Sequence, residues 1–262
     1  MIDPAHLPGL QMAAKYRTLR RILRSSAIGS FIFGTLALVI GGITLQYTNL
    51  NLILIGLGVA LIVFGVLDLT MPRSGLLLAD GILLLVLAAW NVVVTILNAA
   101  GGGRVNFGWI VIFQVLAGIY TIKRYGEFKD TPTVAPPAPI LTWLDQTATT
   151  IRKTKPANSP FIVEWIGNRG SWNNASRWRA QLVGETATAV DAAGAEVLLV
   201  PHQTFTITKG KKAVFGKRVK IVAQLGAISM KGTMEPAQFE RFQAWRWAGM
   251  NQSPHGLWVP QA

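Results

Sequence analysis

The sequence predicts an α-helical membrane domain, a four-helix transmembrane bundle running up-down-up-down, followed by a small α+β domain. In that second part an antiparallel sheet is closed by a C-terminal helix. Three observations lead there. Between Ala27 and Tyr120 only Asp68, Arg73, Asp80 and Arg104 can carry a charge. That stretch breaks into four apolar runs joined by short connections. Past Pro139 the residues return to a soluble mixture, with short strand-like runs and a closing helical pattern. Hydrophobic residues make up 51% of the 262, charged residues only 14%, and the mean hydropathy is +0.38. A soluble domain carries about 25% charged residues, so a deficit confined to one region marks a membrane domain joined to a soluble one.

Residues 1–26 form a basic N-terminal segment. Leu10, Met12, Tyr16, Leu19 and Leu23 recur at helical spacing, and Lys15, Arg17, Arg20, Arg21 and Arg24 take up much of the remaining circumference. The pattern is that of an amphipathic helix at a membrane interface, or of a basic extension of the first span that fixes topology. No cleavable signal is expected, because the first apolar run starts only near Ala27 and is too long for a signal core.

The membrane domain covers 27–125. Its runs are Ala27 to Gln46, Leu52 to Thr70, Leu76 to Leu97 and Phe107 to Ile122, each approaching the roughly 20 residues that cross a bilayer core. Tyr47 to Asn51, Met71 to Gly75 and Ala99 to Asn106 are the predicted connections, and links this short make neighbouring helices antiparallel. Nine lysines and arginines flank one side of the bundle and only Arg104 the other. Both termini are therefore expected in the cytoplasm of a multi-pass protein of the inner or plasma membrane. Residues 126–139, with four prolines, read as an extended linker.

The second domain covers 140–250. It opens with a helix over Ile140 to Lys155, with Ile140, Trp143, Leu144, Thr147 and Ile151 on one face. Strands are expected at Phe161 to Ile166, Ser176 to Val183, Glu196 to Val200, Thr204 to Thr208, Val214 to Leu225 and Ala227 to Met234, with a turn at Asp191 to Gly194. A helix from Glu235 to Ala248 follows, its inner face built from Phe239, Phe242 and Trp245, with Met250 as a further candidate. Residues 251–262 are expected to be a disordered tail. This order of elements, over Phe161 to Ala248, resembles the pleckstrin-homology (PH) and GRAM-like modules found behind membrane helices. A second stretch, VDAAGAEVLLVPHQTF at Val190 to Phe205, is similar to the small barrel of mechanosensitive channels of small conductance. The glycine- and alanine-rich pore helix that enters that barrel is replaced here by the proline-rich linker.

Candidate chemistry is sparse. With no cysteine there is no disulfide and no thiolate, and His6, His202 and His255 lack ligand spacing, so no metal, cofactor or catalytic set is expected. Asp68 and Asp80 stand out because a carboxylate in a membrane segment is costly. A neutralising network of Asp68, Arg73 and Asp80 would pin the hairpin between the second and third spans. Asn91, Thr95 and Gln114 can hydrogen-bond between helices, and Gly34, Gly41, Gly56, Gly58 and Gly65 allow close helix approach within the bundle or between subunits. Beyond Pro139 there are 15 basic against 7 acidic residues, and Lys209, Lys211, Lys212, Lys217, Arg218 and Lys220 crowd one hairpin. That hairpin is a candidate surface for anionic membrane lipid or a protein partner. The tryptophans 165, 172, 178, 245, 247 and 258 either enlarge that surface or fill the core. The expected function is a non-enzymatic scaffold or accessory subunit of a membrane assembly, with protein partners or its own copies. An oligomeric channel or transporter is the alternative, a membrane-bound enzyme ranks lower, and nucleic acid is the least expected partner.

Overall fold

The computed structural model describes residues 7–44, 51–100, 108–168, 176–194, 196–212 and 218–251. The connections expected around 47–51 and 99–106, most of the tail, His6, His255, Trp172, Trp258 and Lys217 fall wholly or largely outside those residues. The chain divides into two compact units, Leu19–Val134 and a second made of Met1–Thr18 with Ala135–Ala262.

The first unit is helical. It holds most of α1 (Leu7–Thr44) together with α2 (Asn51–Thr70), α3 (Ser74–Ala100) and α4 (Trp109–Phe128). The first three are long and apolar enough to cross a membrane, at Leu7–Ile43, Leu52–Thr70 and Ser74–Leu97. Their outward residues are large and apolar, among them Ile32, Ile43, Val59, Val66 and Ile96, as a surface facing lipid tails requires. α4 is different in kind. Its apolar stretch ends at Ile122 and gives way to Lys123 and Arg124, about 21 Å after Trp109 at 1.5 Å per residue. The expected start of that run at Phe107 lies outside the described residues.

Two close crossings hold these helices together. A Cβ on Gly34 would lie 2.9 Å from the Gly58 carbonyl, and one on Gly58 would lie 2.8 Å from the Gly34 carbonyl. The same reciprocal contact joins α3 to α4, where each of Gly81 and Gly118 would bring a Cβ to 2.9 Å from the other's carbonyl. Such approach is open only to residues without a side chain. Gly65 sits against the Phe31 ring and Gly41 is buried, whereas Gly56 has nothing within 4 Å of an added Cβ. Asn91 Nδ2 donates to Gln114 Oε1 at 3.0 Å, tying α3 to α4 a second time. Thr95 instead bonds back to the Asn91 carbonyl of its own helix.

The second unit is an antiparallel half-barrel sheet. Its strands are β1 (Ile162–Asn168), β2 (Ser176–Val183), β3 (Thr186–Asp191), β4 (Val197–Pro201), β5 (Phe205–Lys212), β6 (Val219–Leu225) and β7 (Ile228–Met234). They lie in the order β4-β3-β2-β1-β7-β6-β5, so two meanders meet where β1 pairs with β7. Glycines at φ +66° (Gly194) and +61° (Gly226) turn the β3–β4 and β6–β7 connections, a conformation costly for residues with a Cβ. β3 is the strand the sequence reading lacks. Thr186–Asp191 is built of small residues and threonines, whose alternation carries little hydrophobic contrast, yet Ala187, Ala189 and Val190 are buried.

The inner face of the sheet packs on α6 (Pro236–Asn251). Trp165 and Trp178 sit opposite each other in register and stack at 6.2 Å, and Phe205, Phe242 and Trp245 complete an aromatic centre. Trp165, Trp178 and Trp245 are therefore core, whereas Trp247 is exposed, at 70%. α6 is held by its polar residues as well. Arg241 donates to the carbonyls of Pro156, Ser159 and Ile162, Gln243 to that of Ile207, and Arg246 to that of Phe205. The last two close off carbonyls of β5, the outermost strand on its side of the sheet. On the opposite face Val190, Val197 and Leu199 pack against Leu144, Ala148 and Ile151 of α5 (Ala138–Lys153) and Ala13 and Ala14 of α1.

Replacing Gly34 or Gly81 by valine should lower stability by about 1–3 kcal/mol through overpacking. Gly56→Val should stay within about 0.5 kcal/mol. Unfolding of the detergent-solubilised full chain in denaturant checks both.

Candidate functional site

The carboxyls of the helical unit come together because the link from α2 to α3 is only three residues long. Met71 N–H bonds to the Leu67 carbonyl and Leu76 N–H to that of Arg73, which closes the turn tightly. Asp68, at the end of α2, then directly faces Asp80, in the second turn of α3. Both are buried, at 1% and 0% exposure. Ser26 of α1 donates its hydroxyl to Asp80 Oδ2 at 2.8 Å. Both oxygens of Asp68 and the Oδ1 of Asp80 have no hydrogen-bonding partner. Arg73, expected to neutralise the pair, is instead exposed, in the three-residue turn outside both helices. The third member of the constellation is Ser26, which sequence reasoning missed. A lone serine about two helical turns before the Gly34 crossing gives no spacing signal by itself.

Among the described residues of this unit, the buried cation is Arg124. Its Nε donates to the Tyr120 hydroxyl at 2.9 Å, its Nη1 pairs with Glu127 at 2.7 Å, and its guanidinium lies 5.4 Å from the centre of the Tyr120 ring.

In the sheet unit, Arg17 departs from the other basic residues of its segment. Lys15, Arg20, Arg21 and Arg24 are exposed, whereas Arg17 is 5% exposed. Its guanidinium pairs with Asp145 at 2.7 Å and donates to the Gly194 carbonyl at 3.1 Å. Gln11 adds a bond to the Leu199 carbonyl at 2.9 Å. The start of α1 is thus part of the packing of this unit, and Arg17 is not available to a membrane surface. Only the partners, which lie far along the chain, distinguish it from its neighbours.

The basic hairpin is β5 and β6, with a register shift between Lys209 and Lys212. Ile221, Ala223 and Leu225 turn inward, so Lys220, Val222 and Gln224 turn outward. Across the β6–β7 ladder Lys231 stands opposite Val222, and Thr233 opposite Lys220. Lys220 and Lys231 are therefore exposed on one face, beside the exposed Thr208 of β5. Lys231 was legible once the turn at Gly226 was placed, since that turn sets the register. Lys209 is exposed in β5, and Arg218 pairs with Glu235 at 3.4 Å. Lys211 and Lys212 end β5.

His202 is buried, its Nε2 2.8 Å from the Arg246 carbonyl and its ring edge-on to Trp245. Among the described residues no three of His, Cys, Asp and Glu gather as metal ligands. No family model, curated protein or solved structure matches this chain.

Arg17→Ala should cost the sheet unit roughly 1.5–3 kcal/mol, the range for hydrogen bonds to a charged group. Arg20→Ala should be near neutral. Denaturation followed by the fluorescence of the buried tryptophans measures the difference.

Proposed function

We propose that this protein is a non-enzymatic, membrane-anchored binding protein whose PH-like unit docks on anionic lipid headgroups. In this reading the helices form a four-span bundle in the inner or plasma membrane, with both ends in the cytoplasm and the nine-to-one imbalance of basic residues setting that orientation. The bundle anchors and assembles, and the protein serves as a scaffold or accessory subunit. The observation that carries the reading is the bare outer face of β6 and β7, where Lys220 and Lys231 stand beside neutral hydroxyl and amide residues. The inner face offers a ligand little, because α6 and the tryptophans fill it. A surface lysine near anionic lipid contributes about 1 kcal/mol. A few such charges are weak alone, but an anchored unit meets the membrane at a high effective concentration.

Amine-reactive footprinting of the full chain in nanodiscs tests this. With phosphatidylserine in place of phosphatidylcholine, Lys220 and Lys231 should label about fivefold more slowly at low salt, and the protection should vanish in high salt. Equal labelling in both lipids at low salt would sink the lipid reading and leave a protein partner as the occupant of this face.

A further inference from the structure

Asp68 and Asp80 make a site that the anchoring reading does not use. Three helices converge on it, α1 through Ser26, α2 through Asp68 and α3 through Asp80. Of the four carboxyl oxygens one accepts the Ser26 hydroxyl and three accept nothing. A structural carboxylate inside an apolar unit is normally paired with a cation or supplied with donors. Here Asp68 is 1% exposed, aimed at Asp80, and has neither.

The charged groups of the same unit do not fill the gap. Arg20, Arg21 and Arg24 of α1 and Arg73 of the α2–α3 turn are exposed. Arg124 of α4 is committed to Tyr120 and Glu127. Near the end of α4, Phe128 packs with Leu19, Leu23 and Leu77 as an apolar layer. What remains is a set of hard oxygen acceptors short of positive charge.

We propose that the Asp68–Asp80 pair, with Ser26 orienting Asp80, is a binding site for one small monovalent cation, either a proton or an alkali ion. One positive charge between the carboxyls supplies a partner that the orphaned oxygens lack. A proton sits between two of them, and an alkali ion takes oxygens from both side chains. Hard cations favour such all-oxygen sets. The site is distinct from the lysine face and stands whether or not that face binds lipid.

The experiment uses the full chain in detergent and the apolar reagent dicyclohexylcarbodiimide, which adds to protonated carboxyls in dry surroundings. Peptide mass spectrometry locates the adduct across pH 5 to 9, with sodium, potassium or choline as the only added cation. The thermal midpoint is recorded in the same series for the native protein and for Asp68→Asn, Asp80→Asn and Ser26→Ala. We expect an adduct on Asp68 or Asp80 and a midpoint in the native protein that depends on pH or cation. Both carboxyl variants, isosteric with aspartate, should lose that dependence, and Ser26→Ala should weaken it. Protection by sodium or potassium over choline identifies the alkali ion. Dependence on pH alone identifies the proton. An unlabelled pair, together with native and Asn-variant midpoints that respond identically to pH and to every cation, overturns the site.

Discussion

Every peptide group in this chain has to find its hydrogen bond inside the protein wherever water is shut out, and that one requirement governs both halves. In the apolar part the only segments that satisfy it alone are helices, so charge-poor runs become α1 to α3 and their carbonyls close on their own N–H groups. Side chains then only have to settle how near the helices come. The reciprocal glycine contacts at Gly34 with Gly58 and Gly81 with Gly118 bring backbone against backbone. In the sheet the same requirement leaves outer strands with unmet groups. The chain answers with side chains of α6, whose Gln243 and Arg246 take carbonyls of β5.

That answer makes α6 more than a lid. One of its faces supplies Phe242 and Trp245 to the aromatic centre, and its polar residues reach two separate stretches of backbone, Pro156 to Ile162 and β5. Filling the concave side in this way pushes any recognition to the convex side. There α5 and the start of α1 cover the β3–β4 end, and the outward residues of β6 and β7 stay bare. The proposed binding by surface charge, rather than by an enclosed pocket, accords with where the large side chains lie.

Much of this was legible in the sequence. Sparse charge located the helices, and alternation placed β2 and β7 nearly to the residue and the end of β6, whose expected start at Val214 lies outside the described residues. The closing helix was readable from Phe242 and Trp245. What escaped had physical reasons. β3 is made of alanine and threonine, whose burial depends on neighbours rather than on their own hydrophobicity. Gly81 and Gly118 look like any glycines until one knows which helix faces meet. Arg17 was read with its basic neighbours, because its distinction comes from Asp145 and Gly194. The pairing of Asp68 with Asp80 was anticipated, but with Arg73 as the neutralising member. That arginine lies exposed in the three-residue turn, and Ser26 takes the place beside Asp80.

The start of α1 has a consequence in time. Gln11 bonds to the Leu199 carbonyl, 188 residues further along. At a synthesis rate of about 5–20 residues per second, the partner of this segment is made roughly 10 to 40 s after the segment itself. Throughout that interval α1 can enter the bilayer, while its first turns, Ala13 and Ala14 among them, wait without the strands that will cover them. The segment that precedes the helices is thus packed only after the strands that follow them have been made, because the sheet unit draws on residues from both sides of the helical unit.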